Sequence, residues 1–335
     1  MHLNRLKYII LFLLSIGFIF SAEINSEQAQ RIAENVIYER GGINRSQLMI
    51  DEIIEIGSEM TYLYVINYDQ RGFAIISADD RVIPILGYSF EGTIDIDNLP
   101  IQLIDIFESW QQGIQYVINN NISSTPEIDL EWQKYLSADI EPDQSRDVSP
   151  LITANWNQSG SWNDMCPSNA LVGCVAVSMA QVMYYWKYPE NGEGGHSYYE
   201  NDYGNLYADF SNAFYDFDNM ADNYATEASQ LLLYHSGVAV NMDYGTDASG
   251  AYVVWGQNSA LNALETYFSY HDDITAAYKS SHSDESWDSL IKNQIDQSRP
   301  VIYRGYDQGN GGGHAWNVDG YQGENHFHCN WGWGG

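Results

Sequence analysis

Near its middle the chain changes texture. Residues 120–151 read NNISSTPEIDLEWQKYLSADIEPDQSRDVSPL, polar and proline-containing, with one short helix-like piece around Trp132 to Leu136. The text before this stretch is rich in β-branched residues, and the text after it is crowded with Trp, Tyr, Asn and Gly. A chain of 335 residues broken in this way is expected to bury its apolar side chains in two cores, and 44% hydrophobic residues are enough to fill both. The break is the best domain boundary and the most accessible place for a protease to cut.

The first half begins with an apolar run at residues 8–20, preceded by Arg5 and Lys7 and followed by Ser21 and Ala22. That order describes a secretory signal peptide over residues 1–22, too short to span a membrane comfortably. SEQAQRIAENVIYERGG then reads as a helix with Ser26 as N-cap and Gly41 and Gly42 as its stop. Alternation in MTYLYVINYDQRGFAIISADDRVIPILGYSFEGTIDI, broken at residues 69–72 and at Asp79-Asp80, predicts an antiparallel sheet with hairpin turns. LPIQLIDIFESWQQGIQYVI is expected to be a second helix packing on that sheet, making residues 23–122 a small α+β unit.

In the second half, helical spacing predicts helices at residues 174–187, 226–236, 258–268 and 284–297. Strands are expected in PVIYRGYD, HAWNVDGY and NHFHCNW. Helices followed by an antiparallel sheet give an α+β order.

The excess of 45 acidic over 14 basic side chains, a formal charge of −31, excludes nucleic acid and anionic membrane surfaces as partners, since both require a basic face. Three cysteines, Cys166, Cys174 and Cys329, are too few for a disulfide scaffold, and an odd number leaves at least one thiol unpaired. Gly173-Cys174 stands at the start of a helical run, where free backbone amides and the helix dipole favour a thiolate. A bridge between Cys166 and Cys329 is an alternative use for the other two.

Among eight histidines, His314 is set apart by three preceding glycines, Gly311 to Gly313, which leave room for another chain to approach. A turn around Gln322-Gly323 would pair positions summing to 644, placing Asn330 directly across from His314. An amide carbonyl there would hold the imidazole in the tautomer that accepts a thiol proton. His326 and His328 alternate on a strand but lack further ligands at suitable spacing, and a metal site needs three or four. No metal or organic cofactor is expected.

Taken together, GCVAVSMAQVMYYWKYP, VAVNMDYG, GGGHAWNVDGY and NWGWGG, in that order, resemble the streptopain family of secreted bacterial cysteine peptidases, which have a papain-like fold. FAIISADDRVIPILGYS resembles that family's propeptide. The resemblance implies a zymogen: a signal peptide at residues 1–22, a propeptide with its linker at 23–147, and a papain-like catalytic domain at 148–335. It implies that the catalytic domain continues beyond its last residue here into further strands. Cys174 would be the nucleophile, His314 the general base and acid, and Gln158 a donor to the oxyanion. Asn330 and Trp331 would share the support of the histidine. Ser249, Gly250, Ala251, Gly313 and Trp333 would contact substrate. The implied partners are protein or peptide substrates and the chain's own propeptide, an intramolecular inhibitor released by cleavage within residues 139–150, with Arg146 as a processing residue. The location implied is outside a bacterial cell. The competing expectation is a non-catalytic binding protein that keeps the papain-type shell.

Overall fold

Asn25 begins the first helix. Its side chain accepts from the Gln28 amide while the Gln28 side chain accepts from the Asn25 amide, so the cap lies one residue before the expected Ser26. The helix, α1 (Ser26–Gly41), closes on Gly42 in the left-handed conformation. The computed structural model describes residues 23–69, 72–99, 101–142, 147–306, 313–323 and 325–335, with the side chains of 101 and 102 excepted. The apolar leader, Arg146, Gly311 and Gly312 lie outside the described residues.

Two compact units emerge: one through Ile94 together with Gln111–Glu141, the other Asp95–Trp110 together with Pro142–Gly335. In the first, β1 (Ile50–Ile56), β2 (Leu63–Tyr68), β3 (Phe73–Ser77) and β4 (Ile85–Ser89) form an antiparallel meander in chain order. The helix packed on this sheet is α1, which buries Ile32, Ala33, Val36 and Ile37 against it. The expected second helix exists as α2 (Ile101–Asn119), divided between the two units at Trp110, but the core formed on the sheet draws its helical residues from α1 and from α3 (Pro126–Leu136), which lies on α1.

That third helix is much longer than the short piece expected within the polar stretch. Thr125 caps it, Pro126 occupies its first turn, and Trp132 and Tyr135 are buried. Asn35 donates to the carbonyls of Tyr135 (2.7 Å) and Ser137 (3.0 Å), and Tyr135 Oη donates to the buried Glu39 carboxylate at 2.6 Å. The surface polarity of the stretch hid two apolar anchors one turn apart.

In the second unit, the first α-helix after Pro142 is α4 (Cys174–Trp186), whose first ten residues are all buried. Next comes a hairpin, β5 (Gly195–Glu200) and β6 (Gly204–Asp209), that the sequence reading did not anticipate. Three helices follow: α5 (Glu227–Ala239), α6 (Ala260–Tyr267) and α7 (Asp284–Ile295). A three-stranded antiparallel sheet closes the unit, with β8 (Gly313–Gln322) between β7 (Val301–Tyr306) and β9 (His326–Asn330). The helical core gathers around α4, while a separate cluster of Ile291, Ile295, Val318 and Tyr321 seats α7 on the sheet. Among the described residues no helix is long and apolar enough to cross a membrane.

Candidate active site

Cys174 is the first residue of α4, and its position depends on Gly173. Gly173 has φ +90°, and a Cβ there would stand 2.5 Å from the Met242 thioether. The thiol, 6% exposed, receives backbone N–H groups from Ala315, Val175 and its own residue. Burial nevertheless wins, and the thiol pKa is raised, not lowered as the helix N-terminus alone would suggest. Taking a thiolate out of water costs more than those amides return.

Ala315 follows His314 on β8, so the same contact brings the thiol to the histidine's strand. His314 is buried, with its ring stacked on Trp331 (centroids 5.9 Å, 16°) and Trp316 (6.0 Å, 17°). Its Nε2 lies 2.9 Å from the Trp331 carbonyl oxygen. A carbonyl can only accept, so Nε2 carries the proton of the neutral ring and Nδ1 is left as a base. Nδ1 is buried without a hydrogen-bond partner among the described residues. Burial lowers the imidazole pKa to about 4, with the Trp331 carbonyl opposing the shift. Burial thus opposes the charged form of both groups.

Asn330 is not across from His314. The residue opposite His314 is Gly305 on β7, and Asn330 pairs with Asn317, three positions from the expected register. The turn lies between Gln322 and His326, and a bulge at Asp319 shifts the ladder once more. The Asn330 side chain instead donates to Ala154 O (2.8 Å) and accepts from Gln181 Nε2 (3.0 Å) and Gly332 N (3.2 Å). Support for the imidazole comes from Trp331, through both its ring and its carbonyl.

Gln158 lies on a segment tied by its backbone to the residues that lead into α4. Asn157 Oδ1 accepts the amides of Gln158 and Ser159, and the Gln158 carbonyl accepts from Val172, two residues before Cys174. The side-chain amide is fully buried, and neither Nε2 nor Oε1 has a hydrogen-bond partner among the described residues. Such an amide costs about 1–3 kcal/mol of stability unless something else uses it. Trp333 Nε1 is likewise buried and unpartnered, and the next residue, Gly334, donates to Trp156 O at 3.0 Å. The Trp331–Gly335 segment thus runs beside the turn that carries Gln158.

The expected substrate loop divides into two parts. Ser249 Oγ donates to Leu171 O (2.7 Å) and accepts from Gly245 N (3.0 Å), so its hydroxyl ties the loop to the segment entering α4. Gly250 and Ala251, in contrast, line an open cleft of about 510 Å³ with Asn241, Asp243, Tyr252 and Trp255. Gly313 pairs with Tyr306 at the edge of the sheet. All three thiols are free: Cys166 belongs to the helical core, whereas Cys329 packs with the cluster beneath α7. The bridge that was an alternative for these two does not form, because the residues belong to different cores.

Among the described residues no group of three or more His, Cys, Asp and Glu could hold a metal ion. His328 is engaged with the buried Asp319 carboxylate, its Nδ1 2.6 Å from Oδ1. The sequence reading missed Gln181 and Asn317, buried amides on α4 and β8 that meet beside Asn330. Their only signal was a polar side chain on an otherwise apolar face.

Residues 156–335 match the model of the Peptidase C10 family, and residues 21–114 match that of the Spi protease inhibitor. Streptopain of Streptococcus pyogenes is 29% identical over 324 residues, covering 91% of this chain and 79% of that protein. The thiol protease/hemagglutinin PrtT of Porphyromonas gingivalis is 25% identical over 355 aligned positions, covering 99% of this chain and 40% of that longer protein. Among solved structures, a fragment of prointerpain A from Prevotella intermedia superposes with a TM-score of 0.66 at 30% identity, over 85% of this chain and 89% of the other. Active interpain A gives a TM-score of 0.51 at 35% identity, over 59% of this chain and 87% of the other. With its mixed helix and antiparallel-sheet fold, papain-like in its second unit, the chain belongs to the Peptidase C10 family and is a streptopain-family cysteine peptidase preceded by its propeptide.

Proposed function

We propose that this zymogen yields an endopeptidase that cleaves peptide bonds through Cys174 and His314. The observations that carry the reading are a buried thiol at the start of α4 that meets the backbone N–H of Ala315, the residue after His314, and an imidazole whose Nε2–H is committed to the Trp331 carbonyl while its Nδ1 has no partner among the described residues. In the forward step Nδ1 takes the Cys174 proton as sulfur adds to the substrate carbonyl. Gln158 Nε2 and the Cys174 amide donate to the oxygen as it gains charge, which puts the unpartnered amide to use. His314 then returns the proton to the departing amine. A thioester remains, and water, deprotonated by the same Nδ1, hydrolyses it. Burial opposes charge on either group at rest, which favours moving the proton as the bond forms.

Gly250, Ala251, Gly313 and Trp333 are the proposed substrate contacts, with Ser249 holding the loop that presents the first two. The region of residues 23–147 serves as the intramolecular inhibitor, removed by cleavage within residues 139–150, and the catalytic domain begins at residue 148. Protein or peptide substrates and secretion from a bacterial cell complete the proposal. Purified mature Cys174→Ala and Cys174→Ser should show no turnover of a protein substrate such as casein. Full activity in either variant would refute the assignment.

A further inference from the structure

Three amides buried between α4 and the sheet carry an inference that rests on the Cys174–His314 reading and extends it. Gln181, Asn317 and Asn330 are each at most 1% exposed. Gln181 Nε2 donates to Ala154 O (2.9 Å) and to Asn330 Oδ1 (3.0 Å), and its Oε1 accepts from Asn317 Nδ2 (2.9 Å). Asn317 Nδ2 also reaches Ser178 O at 3.2 Å. Asn330 Nδ2 donates to Ala154 O, and Asn330 Oδ1 accepts from Gly332 N. Backbone groups fix which way each amide faces: the Ala154 and Ser178 carbonyls demand nitrogens, and the Gly332 N–H demands an oxygen.

The last of these bonds matters most. Gly332 N–H and Trp331 C=O belong to the same peptide group. One end of that planar unit is held by Asn330 Oδ1, and the other receives His314 Nε2–H. Gly332 has φ +71°, with a would-be Cβ 3.1 Å from Val177 on α4, so the turn also needs glycine. Gln181 follows Cys174 by seven residues on α4, close to two turns and so on the same face, about 10 Å along the axis. A continuous set of contacts therefore joins the nucleophile's helix to the base: Gln181, Asn330, the Trp331–Gly332 peptide, His314.

We propose that Gln181 is a positioning residue for peptide-bond cleavage, acting through Asn330 to set the plane of the Trp331–Gly332 peptide and with it the orientation and tautomer of His314. Asn317 fixes the Gln181 side chain in turn. None of the three touches the reacting atoms.

Gln181→Met keeps the side-chain length and deletes all three of its hydrogen bonds. In the mature enzyme it should lower kcat on a peptide substrate by about tenfold or more and leave KM within about twofold, the mark of a misplaced reacting group. In the full-length Cys174→Ala proenzyme, ¹⁵N spectra of the His314 ring should show Nε2 protonated, and Gln181→Met should raise the share of the Nδ1-protonated ring. Asn330→Ala should do the same, with the double variant no worse than Asn330→Ala alone. Asn330→Asp retains the acceptor for Gly332 N–H and Gln181 Nε2 and should restore the ring signature, so the relay stays testable if Gln181→Met fails to fold. Asn163→Ala removes a buried amide bonded to the carbonyls of Asn169 and Ala170 and serves as the structural control, lowering Tm without moving the ring signature. If Gln181→Met and Asn330→Ala lower Tm but leave kcat and the His314 spectrum as in the control, the inference is overturned. Retained turnover in Cys174→Ala or His314→Ala would instead overturn the catalytic pair on which it rests.

Discussion

His314 Nε2 lies 2.9 Å from the carbonyl oxygen of Trp331, and the Trp331 ring stacks on the same imidazole at 5.9 Å. One residue thus holds the base in two ways, only one of which a side-chain substitution removes. Trp331→Phe should retain most activity, and Trp331→Ala should lower kcat by about tenfold through lost ring packing while the backbone acceptor persists. Gly332→Ala, which strains the positive φ and presses on Val177, should cost more than either. Steady-state kinetics on one peptide substrate checks the order; equal losses for Phe and Ala would contradict it.

Gln158 offers a test in which activity and stability move in opposite directions. Gln158→Met should lower kcat by about 10²–10³-fold, the usual cost of one oxyanion donor. It should also raise the melting temperature, because it removes a buried amide whose polar atoms have no partner among the described residues. Calorimetry and kinetics on the same preparation read both. A drop in melting temperature with unchanged kcat would make Gln158 a structural residue.

Acid should destabilise the second unit through two buried histidines. Burial lowers both His314 and His235 to about 4, the latter with its Nδ1 2.9 Å from Tyr215 Oη. Each folded value lies below the ordinary 6.5, so their contribution is fully present above about pH 6.5 and is lost as pH falls toward 4. Replacing His235 with Phe in the Cys174→Ala proenzyme should flatten the slope of melting temperature against pH across that window, whatever its offset. An unchanged slope would refute the assignment of acid sensitivity to this residue.

The propeptide unit should be most sensitive where α3 meets α1. Trp132 is buried, and its Nε1 donates to Val82 O at 2.7 Å. Trp132→Ala should cost that unit about 3–5 kcal/mol, seen as faster hydrogen exchange in α1 and β2 of the full-length Cys174→Ala chain. Unchanged exchange would mean that α3 is peripheral to the first core.

The candidates Cys174 and His314 stood out in the sequence because the local text also dictates their backbone, a glycine before a helix and glycines before a strand, whereas Gln158 was reached only through the resemblance to the streptopain family. The register of the hairpin was not legible. A hairpin counted from an assumed turn at Gln322-Gly323 errs by four where Gln322 pairs with His326, and by three at Asn330 because the bulge at Asp319, whose carboxylate meets Ile152 N and His328, takes one position back. The β5–β6 hairpin escaped notice because its outward tyrosines, Tyr199 and Tyr207, disguise which face is buried. Gln181 read as one polar residue on an apolar helix, and only the fold shows that it meets Asn330, 149 residues later.

The most direct test is the fate of the three thiols. Mature enzyme treated near neutral pH with one equivalent of a peptidyl chloromethyl ketone, then mapped by mass spectrometry, should carry the label on Cys174 alone, in step with loss of activity. Cys166, buried, and Cys329, part-buried, both with thiol pKa values raised to about 12, should remain unlabelled. Full inactivation with Cys174 unmodified, or labelling of Cys174 no faster than in a His314→Ala variant, would contradict the account.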